Sequence, residues 1–153
     1  MAETVARSLN EQLLPLFKKE RFVLLNTVDK DTGSPNVSAI SWIYALNEST
    51  IVFAVDNRSR IVKNIENNRS VTLTLIGAGS VYAISGEATI QDEKMAGVPL
   101  KLAKIEMLIN GVRDVMFYGS RISVEPQYEK TYDKKAAEKL DNQVMTALKG
   151  AST

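Results

Sequence analysis

Apolar residues in this chain recur in two rhythms, one of about 3.6 residues and one of every second residue, and the switches between them mark out elements. Val5, Leu9, Leu13, Leu16 and Phe17 share helical spacing, which predicts an N-terminal helix over 3–20, kinked or split at Pro15. RFVLLNTVD (21–29) is dense in apolar and β-branched residues and reads as a buried strand. DKDTGSP follows as a turn punctuated by Gly33 and Pro35. NVSAISWIYAL (36–46) predicts one long strand with no charge on either face, so both faces need cover. NEST turns the chain back into TIVFAVD (50–56).

An amphipathic helix is expected over 59–68, with Ile61, Val62 and Ile65 as its buried stripe. SVTLTLIG (70–77) and SVYAISGEATIQ (80–91) read as strands around the turn GAGS, with Gly86 marking a bulge or a close backbone approach. From Asp92 the pattern predicts helices: DEKMAG, then VPLKLAKIEMLIN, with Pro99 in the first turn of the second and Gly111 at its end. DVMFYGSRISVEP (114–126) is expected as a strand with an irregularity at Gly119. A last helix over 133–150 carries Ala137, Leu140, Val144 and Leu148 on one side and must dock on something. Five or six strands in meander order with flanking helices imply a small, mostly antiparallel barrel in a single domain, 1–153. Strands and helices do not alternate regularly, which disfavours a doubly wound parallel sheet.

Composition narrows the chemistry. Charges nearly cancel, 19 Lys plus Arg against 18 Asp plus Glu, so the basic surplus of a nucleic-acid or anionic-membrane surface is missing. The chain has no cysteine, which removes disulfides, thiolate metal sites and a cysteine nucleophile. It also has no histidine, and with it go the usual serine triad and the commonest zinc ligand. An enzyme built from this sequence uses carboxylates, lysine or tyrosine, or a cofactor that carries the reaction. No apolar run approaches the ~20 residues of a membrane span, and MAETVARSLNEQ lacks the apolar core of a signal peptide, so a cytoplasmic location is expected.

The candidate site is the junction FAVDNRSRIVKNI (53–65). Arg58, Arg60 and Lys63 crowd the start of a helix, where the dipole disfavours cations. Two readings stand. A bound phosphate would meet the opening helix N–H groups, the Ser59 hydroxyl and the cations. Alternatively, the cluster is a solvated charged face, with Lys63 paired to Glu66. Trp42, the sole tryptophan, either lines a flat aromatic ligand or fills the core. Asp29, Asp31 and Gly33 echo a calcium loop, but the glycine comes one residue early and Ile40 stands where the bidentate glutamate belongs. That segment is read as a polar hairpin turn, and no metal site is expected.

From Val23 to Leu75 the ordered blocks resemble the pyridoxamine 5′-phosphate oxidase-like FMN-binding split barrels. That family shows a strand, a Gly-turn, a second strand, a third strand ending in T-x-x-x-S-R-K, then a helix and NP-x-V. The counterparts here are Val55 to Ser59, Arg60 and Ile61, then ENNRSV leading into Val71. The likeness covers about residues 20–91. It implies a six-stranded antiparallel split β-barrel with flanking helices, and FMN at a homodimer interface. By the same resemblance the phosphate meets Ser59, Arg60 and Lys63. The ring lies along Ser41, Trp42 and Ile43, with Val55 and Asp56 nearby. Ile61 replaces the lysine that follows the Ser-Arg pair in many relatives, and a chain without histidine cannot match the family's Arg-x-His substrate motif, so vitamin B6 synthesis is not expected. The expected protein is a flavin-dependent oxidoreductase with a small-molecule electron donor or acceptor, its catalytic residues unassigned, that binds neither nucleic acid nor membrane. The alternatives are a flavin-binding module without turnover, a reductase using the deazaflavin F420, and a nucleic-acid-binding barrel.

Overall fold

The computed structural model describes residues 6–150. Seven strands, β1 (Val23–Val28), β2 (Pro35–Ile40), β3 (Ile43–Asn47), β4 (Thr50–Asp56), β5 (Ser70–Gly77), β6 (Ser80–Asp92) and β7 (Leu102–Asp114), form one sheet. Two α-helices accompany it, α1 (Arg60–Asn67) after β4 and α2 (Lys134–Leu148) near the C-terminus. Every strand pairing is antiparallel, and the order across the sheet is β2-β1-β5-β6-β7-β4-β3. The expected six-stranded barrel is therefore corrected to a seven-stranded antiparallel sheet that is not closed by a ladder between its edges.

The extra strand comes from the segment expected as one run over 36–46. It breaks between Ile40 and Ile43 into β2 and β3, which lie at opposite edges of the sheet. At the break, Ser41 O accepts from Arg21 N and from Ile43 N, both at 3.0 Å, while Trp42 O accepts from Ala54 N at 3.0 Å. Two residues thus carry the chain from one edge to the other, which requires the sheet to curl round on itself. Its concave face encloses one core that includes Leu25, Ile43, Phe53, Leu73, Ile84 and Ile105, all fully buried.

β1 and β5 bury every second residue, as a sheet covered on one face should. β4 is buried from Ile51 to Val55 because it is covered twice. Ile51, Phe53 and Val55 enter the main core, whereas Val52 and Ala54 meet Val144, Met145 and Leu148 of α2 in a second cluster. The expected C-terminal helix is present, and this is what it docks on. Asp133 caps it, its carboxylate accepting from Lys135 N.

Three helical expectations are corrected, the first being DEKMAG: Asp92 ends β6 and residues 93–97 are bend and turn. Within 6–20, only Leu14–Phe17 is helical, as a single 3-10 turn beginning next to Pro15, while Ala6 bridges to Val112; residues 1–5 lie outside the described ones. VPLKLAKIEMLIN is not a helix: its larger part is β7, whose Ala103, Ile105, Met107 and Ile109 are buried in alternation. Leu, Ala, Lys, Glu and Met favour helices, but pairing with β4 on one side and β6 on the other overrides that propensity. The expected strand 114–126 is instead an irregular strap past the sheet end, with Ile122 N bonded to Gly79 O at 2.8 Å. Gly86 sits at a register shift between β6 and β7, where a Cβ would collide with the Leu108 carbonyl oxygen. No helix among the described residues is long and apolar enough to cross a membrane.

Candidate functional site

A cleft of about 450 Å³ opens where the bend at Ser41–Trp42, the end of β4 and the start of α1 converge. Ala39, Ile40, Ser41 and Trp42 come from the bend, Ala54, Val55 and Asp56 from β4, and Ser59 and Ile61 from the helix start. Lys130 and Tyr132 reach it from the strap before α2. The lining is mostly apolar with a few convergent polar groups, as in small-molecule sites. A larger hollow of about 560 Å³ lies between residues 18–20 and α2. Its lysines are interleaved with Glu20, Glu129, Glu138 and Asp141, so it does not present one sign of charge.

Of the residues singled out from the sequence, Ser41, Trp42, Val55, Asp56 and Ser59 line the cleft. Ile43 does not; it is wholly buried in the main core. Lys63 borders a different hollow with Asn57, Val62, Glu66 and Glu93. Arg60 turns to the β1–β2 hairpin. Its Nε donates to Asp29 Oδ1 at 2.6 Å, and its terminal nitrogen donates to Asp29 Oδ2 at 3.0 Å and Asp31 Oδ2 at 2.9 Å. Asp29 also accepts from Asn36 Nδ2 and from the N–H groups of Asp31 and Thr32. The Arg60 guanidinium, then the Asn36 amide and the Thr32 N–H, hold the Asp29 carboxyl far below the usual carboxylate range. Arg60, Lys30 and their charges lower Asp31 too, and the two aspartates raise Arg60 in return. Arg58 is 80% exposed and pairs loosely with Asp56 at 3.6 Å. The aspartates read as a plain turn are thus the counter-ions of the arginine at the helix start.

Ser59 holds the N-cap position of α1 with extended backbone, yet its hydroxyl does not cap the helix. Among the described residues, its Oγ is the one buried side-chain polar atom without a hydrogen-bond partner. Leaving such an atom unsatisfied costs about 1–3 kcal/mol. An orphan of this kind on a cleft wall, beside first-turn N–H groups that have no intrahelical acceptor, marks where a ligand's polar atom fits.

Lys130 and Tyr132 had no signal in the sequence, because nothing local ties the strap to cleft residues as distant as Ala39 and Ile61. Lys130 Nζ donates to Glu20 Oε2 at 2.9 Å and lies 3.2 Å from Asp141 Oδ2. Burial works to lower the lysine's pKa, but bonds to Glu20 and Asp141 outweigh it and the net change is upward. Tyr128 donates to Glu20 Oε1 at 2.8 Å. Burial, with Glu20 adding to it, pushes the phenol up to about 12. Trp42 Nε1 donates to Asp141 Oδ1 at 2.8 Å, so the indole is held from α2.

The sequence profile described as Pyridoxamine 5'-phosphate oxidase matches residues 9–111, well over half the chain. The chain belongs to the pyridoxamine 5′-phosphate oxidase family. Solved structures share the fold of this family member at low identity. A Lactobacillus delbrueckii protein assigned to the pyridoxamine 5′-phosphate oxidases aligns with TM-score 0.61 and 19% identity, covering 73% of this chain and 98% of that one. An F420 reductase aligns with TM-score 0.53 and 16% identity over 67% and 95% of the two chains. The haem storage protein HutZ of Vibrio cholerae aligns with TM-score 0.51 and 13% identity over 65% and 89%. No curated protein matches the sequence. The match supports the split-barrel frame of the family, while its neighbours differ in what their names say they handle.

Proposed function

We propose that this family member binds FMN in the Trp42 cleft and acts as a small flavin-dependent oxidoreductase. The observation that carries the reading is the unpartnered Ser59 hydroxyl on the wall of a mostly apolar cleft. An apolar slot suits a ring system, and a buried hydroxyl at a helix start suits a phosphate oxygen. The flavin would supply hydride and electron transfer. The chain would supply the rest: Trp42, Val55 and Ile61 exclude water from one side, and Ser59 with the α1 N–H groups anchors the tail. Because Arg60 is occupied by Asp29 and Asp31, little of its charge is left for the tail. The anchor then rests on neutral donors, and riboflavin should bind within about tenfold of FMN, the worth of one modest hydrogen-bond set. That same pairing favours a second reading, a flavin-binding module without turnover.

The neighbours named as an F420 reductase and a haem storage protein fit less well here. A longer acidic tail needs free cations, and a haem would have no histidine ligand in this chain. A homodimer is part of the proposal. The outward face of β2, β1, β5 and β6 presents Val37, Ala39, Leu24, Thr72, Thr74 and Ala83, without a charge in its centre. The purified protein should quench added FMN fluorescence, and NADH or NADPH should bleach the visible absorbance of the bound flavin. Unquenched FMN removes the flavin reading; bound FMN that no donor bleaches favours the module.

A further inference from the structure

The family match ends at residue 111, yet the cleft does not. Lys130 and Tyr132 line it from beyond that limit, and Asp141 of α2 holds its tryptophan. We propose that the C-terminal segment of this chain is a built part of the ligand cleft, in which Asp141 is the positioning residue for the Trp42 ring and Tyr132 is the contact that sets affinity for a flat ring.

The geometry forms a continuous chain of polar contacts. Trp42 Nε1 donates to Asp141 Oδ1, Asp141 pairs with Lys130, and Lys130 donates to Glu20. Glu20 Oε2 also lies 3.4 Å from Ser41 Oγ, the residue beside Trp42. The two neighbouring residues of the bend are thus tied to one network, Ser41 through Glu20 and Trp42 through Asp141. The side chains of Lys130, Glu20 and Asp141 are 27%, 20% and 16% exposed, so water competes weakly for these charge-assisted bonds. α2 itself is fixed by Val144, Met145 and Leu148 against Val52 and Ala54 of β4. Docking that helix therefore fixes the indole, while the strap leading into it delivers Tyr132 to the same cleft. Tyr132 is 49% exposed, and its hydroxyl makes no hydrogen bond to the described residues. A large aromatic ring left half exposed at a cleft mouth offers stacking area to a ring ligand.

The ligand half of this proposal rests on the flavin reading; the positioning half does not. Trp42 is the sole tryptophan, so its emission reports the site in the ligand-free full chain. Asp141→Leu should shift that emission and raise its quenching by acrylamide, while Asp141→Asn, which keeps an acceptor oxygen, should stay near the parent. Circular dichroism and size-exclusion profiles confirm that each variant is folded; where the leucine variant is not, Asp141→Ala takes its place, with the same shift in emission and acrylamide quenching expected. FMN and riboflavin titrations follow Trp42 quenching. Tyr132→Ala should weaken both ligands about fivefold to tenfold, the worth of an aromatic contact, with ligand-free emission and melting temperature unchanged. Tyr132→Phe should restore affinity. Unaltered emission and acrylamide quenching in folded Asp141→Leu overturns the positioning role. FMN affinity that survives Tyr132→Ala overturns the contact role while leaving the flavin reading intact. A parent protein that binds neither FMN nor riboflavin overturns the flavin reading and the Tyr132 role together, and emission still judges Asp141.

Discussion

Arg60 and Asp29 show how one pair of residues can decide a local structure. The hairpin turn after β1 is wound around the Asp29 carboxylate, which is 8% exposed and takes the Arg60 guanidinium from the first position of α1. Asn64, one turn on, donates to Thr27 Oγ1 and accepts from Lys30 N, so two residues of α1 hold the hairpin. Asp29 ionises more readily in the fold than in the unfolded chain, whose aspartates titrate near about 4. Its contribution is therefore present above that pH and is lost as pH falls below it. Asp29→Asn should lower the thermal midpoint at pH 7 and flatten the fall in stability between about pH 4 and 2; melting curves across that range test it. An unchanged acid limb would mean that Arg60 and Asp29 gain nothing from the pairing. Both residues were visible in the sequence, but their partnership was not, because it spans 31 positions.

The strands and the strap answer to different forces. β4, α1, β5 and α2 were legible because their apolar patterns match their burial: β4 and β5 begin and end where the sequence places them. β7 is a strand where the sequence predicts a helix: it alternates from Ala103 to Ile109, but its Leu, Ala, Lys, Glu and Met are also good helix formers. Gly86, expected as a bulge or a close backbone approach, is at both a register shift and a close approach to the Leu108 carbonyl. Gly86→Ala should destabilise the protein by about 1–3 kcal/mol, since backbone, not a flexible side chain, must give way; a lower urea midpoint measures it. For the strap, Tyr128 matters at high pH. Its phenol, raised to about 12, keeps its proton in the fold after an unfolded tyrosine, near about 10, has lost it. Stability therefore falls as pH rises through that window. Tyr128→Phe should fall less steeply than the parent between pH 10 and about 12 in the same melting assay.

The whole sheet depends on the Ser41–Trp42 bend, which sends consecutive strands to opposite edges and brings the cleft together. The uncharged outward face beside it is the proposed subunit contact. Val37, 60% exposed on edge strand β2, lies on that face. Val37→Lys should convert a dimer to a monomer in multi-angle light scattering, since an ammonium at an apolar contact loses its water without gaining a partner. A parent chain that elutes as a monomer removes the dimer from the proposal.

The sequence by itself determined the strand-rich, largely antiparallel character, the helix after β4, a docking C-terminal helix, and the absence of cysteine and histidine chemistry. These follow from period and composition, which are local. Tertiary structure alone decided that 36–46 breaks into two edge strands, that β7 is a strand, that Arg60 pairs with Asp29 and Asp31, that Lys130 and Tyr132 line the Trp42 cleft, and that Asp141 holds the indole. Each of these depends on which distant groups the curled sheet brings within hydrogen-bonding or packing distance, and no window of neighbouring residues carries that information.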